Sequence, residues 1–328
     1  MARVSVVIPN YNRSHFILET IRNMQAQTLA PYEIIVVDDG STDNSLELLE
    51  SLGSQIVLIS QKNKGPGAAR NAGFQSSSGD LIVFMDSDDI SSLNKLESQS
   101  IKLEAEGADI AFGPWLQIKW GSSLGTEIYS LLQSRHPGPE LSLLEWHLKG
   151  WTPVLQNCLF RKSFLESIGP LKSDLLVAED WEFFNRIFLA NPKSVFTPEC
   201  ITFYRLNGQD KLSGDGVSDE KKSHELAKAS RYIQQNIANT NIRISDDVMR
   251  SFRFTLWNIQ RKSKEEVFIA PCSHPEILYF RKMQVVSKIK SRVRRLLYGN
   301  SWPSFYHCSE VKASYLKLLA DTTIPYPI

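Results

Sequence analysis

Cysteine is scarce in this chain. Cys158, Cys200, Cys272 and Cys308 are spread over 328 residues and form no CxxC pair. That excludes a disulfide framework and a cysteine-rich zinc module, and it suits reduced thiols. A surplus of one charge is missing too. Lys and Arg number 37, Asp and Glu 36, for a formal net charge of +1, so no overall field draws the chain to nucleic acid. Long apolar runs are absent, whereas a membrane-spanning helix needs roughly 20 such residues. Residues 3–8 already read as a strand, which leaves no room for a cleaved leader. No internal repeat or low-complexity tract is present. The expected location is the cytoplasm.

What is present is a globular composition, with 42% hydrophobic against 22% charged residues, enough to bury a sizeable core. Short apolar runs at residues 4–8, 34–37, 55–59 and 81–85 suit strands buried on both faces of a parallel sheet. Helical patterns lie between them. Phe16, Ile17, Thr20, Ile21 and Met24 share one face, residues 42–52 form a second helix with Asp43 near its start, and a third follows Gly65. This rhythm predicts a doubly wound α/β fold, a mostly parallel sheet with flanking helices. Ligands in such folds collect beyond the carboxyl ends of the strands. Farther on, residues 108–118 read as one strand, 141–149 and 179–189 as helices, 201–204 as a strand and 207–216 as a loop rich in Gly, Asp and Ser. Beyond Ser218 the pattern is helical. The expected organisation is one α/β unit over residues 1–217 and a helical C-terminal region over 218–328.

Four polar motifs fall at or near element ends. Asp86-Ser87-Asp88 closes the strand at residues 81–85. Carboxylates at i and i+2 on such a turn can face one cleft, and oxygen ligands suit Mg²⁺ or Mn²⁺; a solvated turn explains the same residues. Asp38-Asp39-Gly40-Ser41-Thr42-Asp43 ends the second strand. A carboxylate there can accept a hydrogen bond from a base N–H. Capping by Asp43 and a turn at Gly40 account for part of the run, but two acids ending a buried strand need partners. Residues 62–71 precede a helix, and Gly65 and Gly67 would let the backbone approach a nucleotide, while Arg70 can pair with an acid or a phosphate. This is not a dinucleotide fingerprint, because Arg70 stands where the third glycine belongs and the stretch follows the third strand. Glu179-Asp180 opens the helix at residues 179–189. Carboxylates at a helix N-terminus are held ionised, which suits capping or a base that takes a proton from a sugar hydroxyl.

Taken together, residues 4–12, 38–43, 63–71 and 86–89 resemble, in order and spacing, family 2 glycosyltransferases of the GT-A fold. The Glu179-Asp180 pair lies where that family places its acceptor-side acids. The resemblance covers roughly the first two-thirds of the chain. It implies that Pro9, Tyr11 and Asp39 frame the base and ribose, with Tyr11 stacking on the base. Asn12, Asn63, Gly67, Arg70 and Arg205 would join the nucleotide-sugar site. Asp86 and Ser87 would sit near ribose and metal, with Asp88 the main ligand of Mn²⁺ or Mg²⁺ and Asp86 beside it. Asp180 would be the general base, steered by Glu179. The implied reaction transfers a sugar, with inversion, from a nucleoside diphosphate sugar, usually UDP-linked, to a hydroxyl of a glycan, glycolipid or glycoprotein. One departure stands out. Many relatives carry a His two residues after the Tyr-Arg pair, where this chain has Asn207. Asn207 can still offer a carbonyl ligand, and Arg205 or Lys211 a diphosphate contact. Acceptor choice is expected to depend on Trp115, residues 151–157, Trp181 and the helical end.

No Asp or Glu occurs between Glu276 and Glu310, a span that holds Arg281, Lys282, Lys288, Lys290, Arg292, Arg294 and Arg295. Met283, Val286, Ile289, Val293 and Leu297 fall near one helical face. Two readings are open: a helix resting on anionic lipid at the inner membrane face, or a docked helix with a solvated basic face. RNA binding lacks a stacking module. For the whole chain the rivals are a nucleotidyltransferase and a non-catalytic descendant of such enzymes. The first usually needs a glycine-rich basic loop after strand one, where this chain has Pro9-Asn10-Tyr11-Asn12, and the second is disfavoured by intact Asp88 and Asp180.

Overall fold

A computed structural model describes residues 2–121, 125–133, 136–206, 218–268 and 275–284, the backbone alone for 119–121 and 125–133. The elements run β1 (Val4–Asn10), α1 (Ile17–Gln25), β2 (Glu33–Asp38), α2 (Ser45–Glu50), β3 (Val57–Ser60), α3 (Pro66–Ser76), β4 (Leu81–Phe84), β5 (Ile90–Ser91), α4 (Lys95–Glu106), β6 (Ile110–Phe112), β7 (Trp115–Gly121) and β8 (Gly125–Gln133). They continue as α5 (Leu143–Leu148), β9 (Cys158–Arg161), α6 (Lys162–Ile168), α7 (Glu179–Leu189), β10 (Ser194–Phe196), β11 (Thr202–Arg205), α8 (Asp219–Ala238) and α9 (Asp246–Ser263). Residues 275–284 are also helical.

Seven strands form the main sheet in the order β10-β6-β9-β4-β1-β2-β3. All neighbours are parallel except β9, which runs against both β4 and β6. The mostly parallel, helix-flanked architecture is the one the strand–helix rhythm predicts. Alternation explains why the strands are apolar on both faces. Val4, Val6 and Ile8 of β1, with Leu81 and Val83 of β4, pack on Ile17 and Ile21 of α1 and Leu96 and Leu103 of α4. Val7, Ile35, Val37, Ile82 and Phe84 point the other way, into a cluster with Phe183, Phe184 and Phe188 of α7. The chain order turns back between β1 and β4, which opens a crevice at their carboxyl ends.

Two local expectations are corrected. Residues 108–118 are two strands, since Gly113-Pro114 separates β6, in the main sheet, from β7, in a second sheet ordered β5-β11-β7-β8. Proline offers no ladder N–H, and a Cβ at Gly113 would stand 2.8 Å from the Thr197 carbonyl oxygen. The second helix is shorter than residues 42–52. Asp43 instead builds the turn before it, accepting from the Ser14 and Ser45 backbone N–H groups at 3.0 and 2.9 Å. These bonds hold its carboxyl down at about 2, against the opposing effect of burial.

The helices after residue 217 pack directly on α7. Asn236 of α8 donates to Glu182 at 3.1 Å, and Ile233, Phe252, Leu256 and Trp257 belong to the same apolar cluster as Phe183 and Phe184. Among the described residues no helix is long and apolar enough to cross a membrane. The basic stretch beyond residue 284, with Asn207 and Lys211, lies outside the described residues.

Candidate active site

The site begins with the two acids that end β2. Asp38 is fully buried, and it accepts from Asn10 Nδ2 at 3.0 Å and from the Ser41 N–H at 3.0 Å. Asp39 takes three donors, Gln61 Nε2 at 2.7 Å and the backbone N–H groups of Lys64 and Gly65 at 2.9 and 2.8 Å. It therefore ties β2 to the loop before α3, where Gly65 has φ +87°, a conformation that favours glycine. A carboxylate offers about four acceptor positions, so Asp39 keeps capacity for one more donor. Asn12 adopts φ 51°, which Asn tolerates, and its Oδ1 accepts from the Thr42 N–H at 2.7 Å.

The carboxylate turn after β4 is held from behind. The Thr20 hydroxyl of α1 lies 3.0 and 2.9 Å from the Ser87 and Asp89 carbonyl oxygens. Asp89 is fully buried and accepts from Gln156 Nε2 at 2.7 Å and the Arg205 N–H at 2.9 Å. Asp86 and Asp88 face forward, and each meets an arginine. Arg70 Nη2 is 2.7 Å from Asp86, while its Nη1 is 2.7 Å from Glu179. Arg13 Nε is 3.4 Å from Asp88. Arg70 thus spans from the turn after β4 to the first turn of α7.

That first turn carries Glu179 and Asp180. Burial is the largest influence on both carboxyls and pushes them above the usual range, against the pull of Arg70. Asp180 accepts the Trp181 N–H at 2.8 Å. Ala178, just before the pair, has φ 67°, a strained conformation for a residue with a Cβ.

All but two of the anticipated site residues line one cleft of about 680 Å³. Pro9, Tyr11, Asn12, Asp39 and Asn63 come from the β1, β2 and β3 ends. Arg70, Asp86, Ser87 and Asp88 lie next to them, with Glu179 and Asp180 also at the cleft. Tyr11 is 44% exposed, an open aromatic face on the cleft. The exceptions are Gly67 and Arg205, neither of which is in the lining. A Cβ on Gly67 would stand 3.0 Å from the Lys172 carbonyl oxygen, so that glycine permits close packing. Arg205 is buried against Glu19 at 2.8 Å, with its guanidinium 5.5 Å from the Phe16 ring centroid. Of the residues expected to shape acceptor choice, Val154, Leu155 and Gln156 reach the cleft, while Trp181 packs on His147.

Sequence reasoning assigned no role to Arg13, Asp89 or Lys221, and Gln156 entered only as part of the acceptor stretch at residues 151–157. Arg13 directly follows the Pro9–Asn12 motif, and Asp89 directly follows Asp88, so adjacency was a usable signal for those two. Gln156 and Lys221 carry no local signature. A divalent cation suits the turn by its chemistry. Five carboxylates line the cleft (Asp39, Asp86, Asp88, Glu179 and Asp180) against the cations Arg13, Arg70 and Lys221. Among the described residues no group of three or more His, Cys, Asp or Glu is placed to hold a metal ion by itself. One or two carboxylates completed by phosphate oxygens and water is the usual Mg²⁺ arrangement.

A family model, "Glycosyl transferase family 2", matches residues 5–169, half of the chain. The chain belongs to this family. A protein of Nostoc sp. named as an uncharacterized glycosyltransferase is 28% identical over 278 residues, 80% of this chain and 84% of its own length. A Rickettsia bellii glycosyltransferase matches at 44% over 100 residues, 30% of this chain and 14% of its own length. WfgD of Escherichia coli, named as a UDP-Glc:α-D-GlcNAc-diphosphoundecaprenol β-1,3-glucosyltransferase, is 37% identical over 124 residues, 37% of this chain and 49% of its own. Among solved structures, S. aureus TarS in complex with UDP superposes with a TM-score of 0.60 at 22% identity, over 79% of this chain and 73% of that one. The likeness extends the family match to the fold, a GT-A-type α/β unit with a helical C-terminal region.

Proposed function

We propose that this family 2 glycosyltransferase transfers a sugar with inversion from a UDP-linked donor to a hydroxyl of a glycan, glycolipid or glycoprotein acceptor. The observation that carries the reading is Arg70, which links the Asp86 carboxylate to the Glu179-Asp180 pair across one cleft. Residues 1–217 serve as the nucleotide-sugar unit, with the helices from 218 onward braced against its acceptor side. UDP as the donor nucleotide accords with the ligand of TarS. A lipid-linked acceptor has a precedent in WfgD.

Tyr11 offers its exposed ring to the base, and Asp39 its remaining acceptor position to a base N–H. Asp88, with Asp86, would hold Mg²⁺ or Mn²⁺, which supplies neutralisation of the departing diphosphate. Asp180 takes the acceptor proton as that oxygen bonds to C1 from the face opposite the nucleotide. The bond from C1 to the diphosphate oxygen breaks, and UDP leaves with the bonding electrons. A base needs a pKa near working pH, and burial raises Asp180 in that direction. Glu179 is fastened to Arg70, which leaves Asp180 the freer carboxylate. Positioning and electrostatics supply most of the acceleration.

Asp180→Asn keeps size and some capping, so it should preserve UDP affinity and melting temperature while transfer drops on the order of 10²–10⁴-fold. Glu179→Gln, run in parallel, should lose less turnover and shift the acid limb of the pH–rate profile downward, because Arg70 then acts undivided on Asp180. Near-normal turnover in Asp180→Asn would overturn the assignment of the base.

A further inference from the structure

Two arginines meet the carboxylate turn, one at each acid. Arg70 belongs to α3, keeps 7% side-chain exposure and makes two contacts of 2.7 Å. Arg13 stands on the loop after β1, keeps 16% exposure and approaches Asp88 only to 3.4 Å. Its Nη1 donates to the Asn12 carbonyl oxygen at 3.0 Å. One end of the guanidinium is thus tethered to the loop, while Nε lies over the carboxylate. Asp88 itself is 10% exposed on its side chain, and an ionised group so placed needs a counter-charge. Arg70 is a fixed strut. Arg13 stands on the carboxylate that the proposed reaction most needs, the one a cation would have to share with it.

We infer that Arg13 is an exchangeable counter-ion for Asp88, which it neutralises in the empty cleft and yields to the divalent cation when the donor diphosphate enters. The inference rests on the reading of the cleft as a nucleotide-sugar site. Its logic is charge conservation. With the cleft empty, the cation must compete with Arg13 for Asp88, so metal alone binds weakly. The diphosphate brings negative charge beside both groups. Arg13 then turns from Asp88 to a phosphate oxygen, for which its planar fork is suited, and the carboxylate is free to ligate. Metal and nucleotide therefore reinforce one another, and by linkage each raises the affinity of the other by the same factor. A single neutral substitution should consequently move the two affinities in opposite directions.

The test is calorimetric titration of the full chain with Mn²⁺ alone, and with UDP at saturating Mn²⁺, for wild type and Arg13→Gln. Arg13→Gln should bind Mn²⁺ alone about tenfold more tightly and UDP about tenfold more weakly, roughly the effect of one charged contact. Arg13→Lys keeps the charge without the fork and should fall between the two; it serves as the second variant if Arg13→Gln melts early. A variant that gains no Mn²⁺ affinity overturns the inference, as does one that gains it with UDP affinity unchanged. If wild type binds no UDP even with Mn²⁺, the reading of the cleft fails, and the titration with Mn²⁺ alone still decides for or against Arg13 as the competitor at Asp88.

Discussion

Arg70 illustrates how much rests on one side chain. It is buried and satisfies two acids that come from different parts of the chain. Removing one partner of a buried pair typically costs about 3–5 kcal/mol, because the other charge stays behind unpaired. Arg70→Met should therefore destabilise by about 3 kcal/mol at alkaline pH, where Glu179 is ionised, the low end of that range, since Asp86 keeps 26% side-chain exposure. The sign with pH follows from Glu179. Its folded carboxyl is already raised by burial, and without Arg70 it rises further. Stability contributed by the protonated form is complete below the unfolded carboxyl pKa and is lost as pH rises through the folded one. The wild-type Glu179 carboxyl titrates at about 7, so the penalty in Arg70→Met should be small near pH 4 and develop above that value, to about pH 9. Denaturant unfolding of both proteins across that range checks it, and a pH-independent difference would show that the acids do not depend on Arg70. At this scale the sequence exposed the acids well, because Asp39, Asp86, Asp88 and Asp180 sit at element ends where periodicity breaks. It hid what each acid binds. Arg70 and Glu179 are 109 positions apart, and no local pattern encodes such a pair. Asp39 reads from sequence as a base-recognition group, yet its three donors make it a loop anchor as well.

Between elements, the contact of α3 with β1 and β2 depends on Gly73. A Cβ there would lie 2.4 Å from Val7 Cγ1 and 3.2 Å from Val37 Cγ2. Alanine would gain about 1 kcal/mol of helix propensity, while overpacking a filled core costs about 1–3 kcal/mol. The clash should win, because Val7 is fully buried in a central strand and has nowhere to move. Gly73→Ala should lower the urea midpoint, for a net loss of up to about 2 kcal/mol; an unchanged or higher midpoint would mean the helix shifts freely. Element type and order were legible in the first third because period-2 and period-3.6 signals alternate cleanly there. Legibility failed where a short element depends on distant packing. The break at Gly113-Pro114 assigns two halves of one apolar run to different sheets. The inward polar row of Thr20 and Asn23 on α1, continued by Gln27 just beyond its end, looks like a flaw in an apolar face. It is the set of side chains that holds residues 87–92, with Asn23 Nδ2 donating to the Ser91 carbonyl at 2.9 Å and Gln27 Nε2 to the Ser92 carbonyl at 3.0 Å.

For the molecule as a whole, the question is whether residues 1–217 stand alone. A change of pattern near Ser218 is visible in the sequence, but the pattern cannot say whether the following helices are an appendage or part of the core. The packing argues for the core. Ile233, Val248, Phe252, Leu256 and Trp257 are buried in the cluster that covers α7 and one face of the main sheet. Full burial of a large apolar side chain contributes about 1.5–3 kcal/mol, so these five amount to on the order of 10 kcal/mol, similar to the whole stability of a typical domain. The same helices also brace the approach to the acid pair. Glu225 accepts the Leu176 N–H at 2.7 Å, Lys228 donates to the Asp174 carbonyl at 2.6 Å, and the Tyr232 hydroxyl donates to the Asp174 carboxylate at 2.6 Å. That segment runs straight into the strained Ala178 and then Glu179 and Asp180. A chain ending at residue 217 should therefore lose its cooperative thermal transition, expose apolar surface to a dye such as ANS, and show weak near-ultraviolet dichroism. Tyr232→Phe in the full chain tests the brace more gently, and it should leave UDP affinity intact while lowering turnover. If the shortened chain melts cooperatively near the wild-type temperature and still binds UDP, the C-terminal helices are an accessory, and the acid pair is positioned by the sheet and α7 alone.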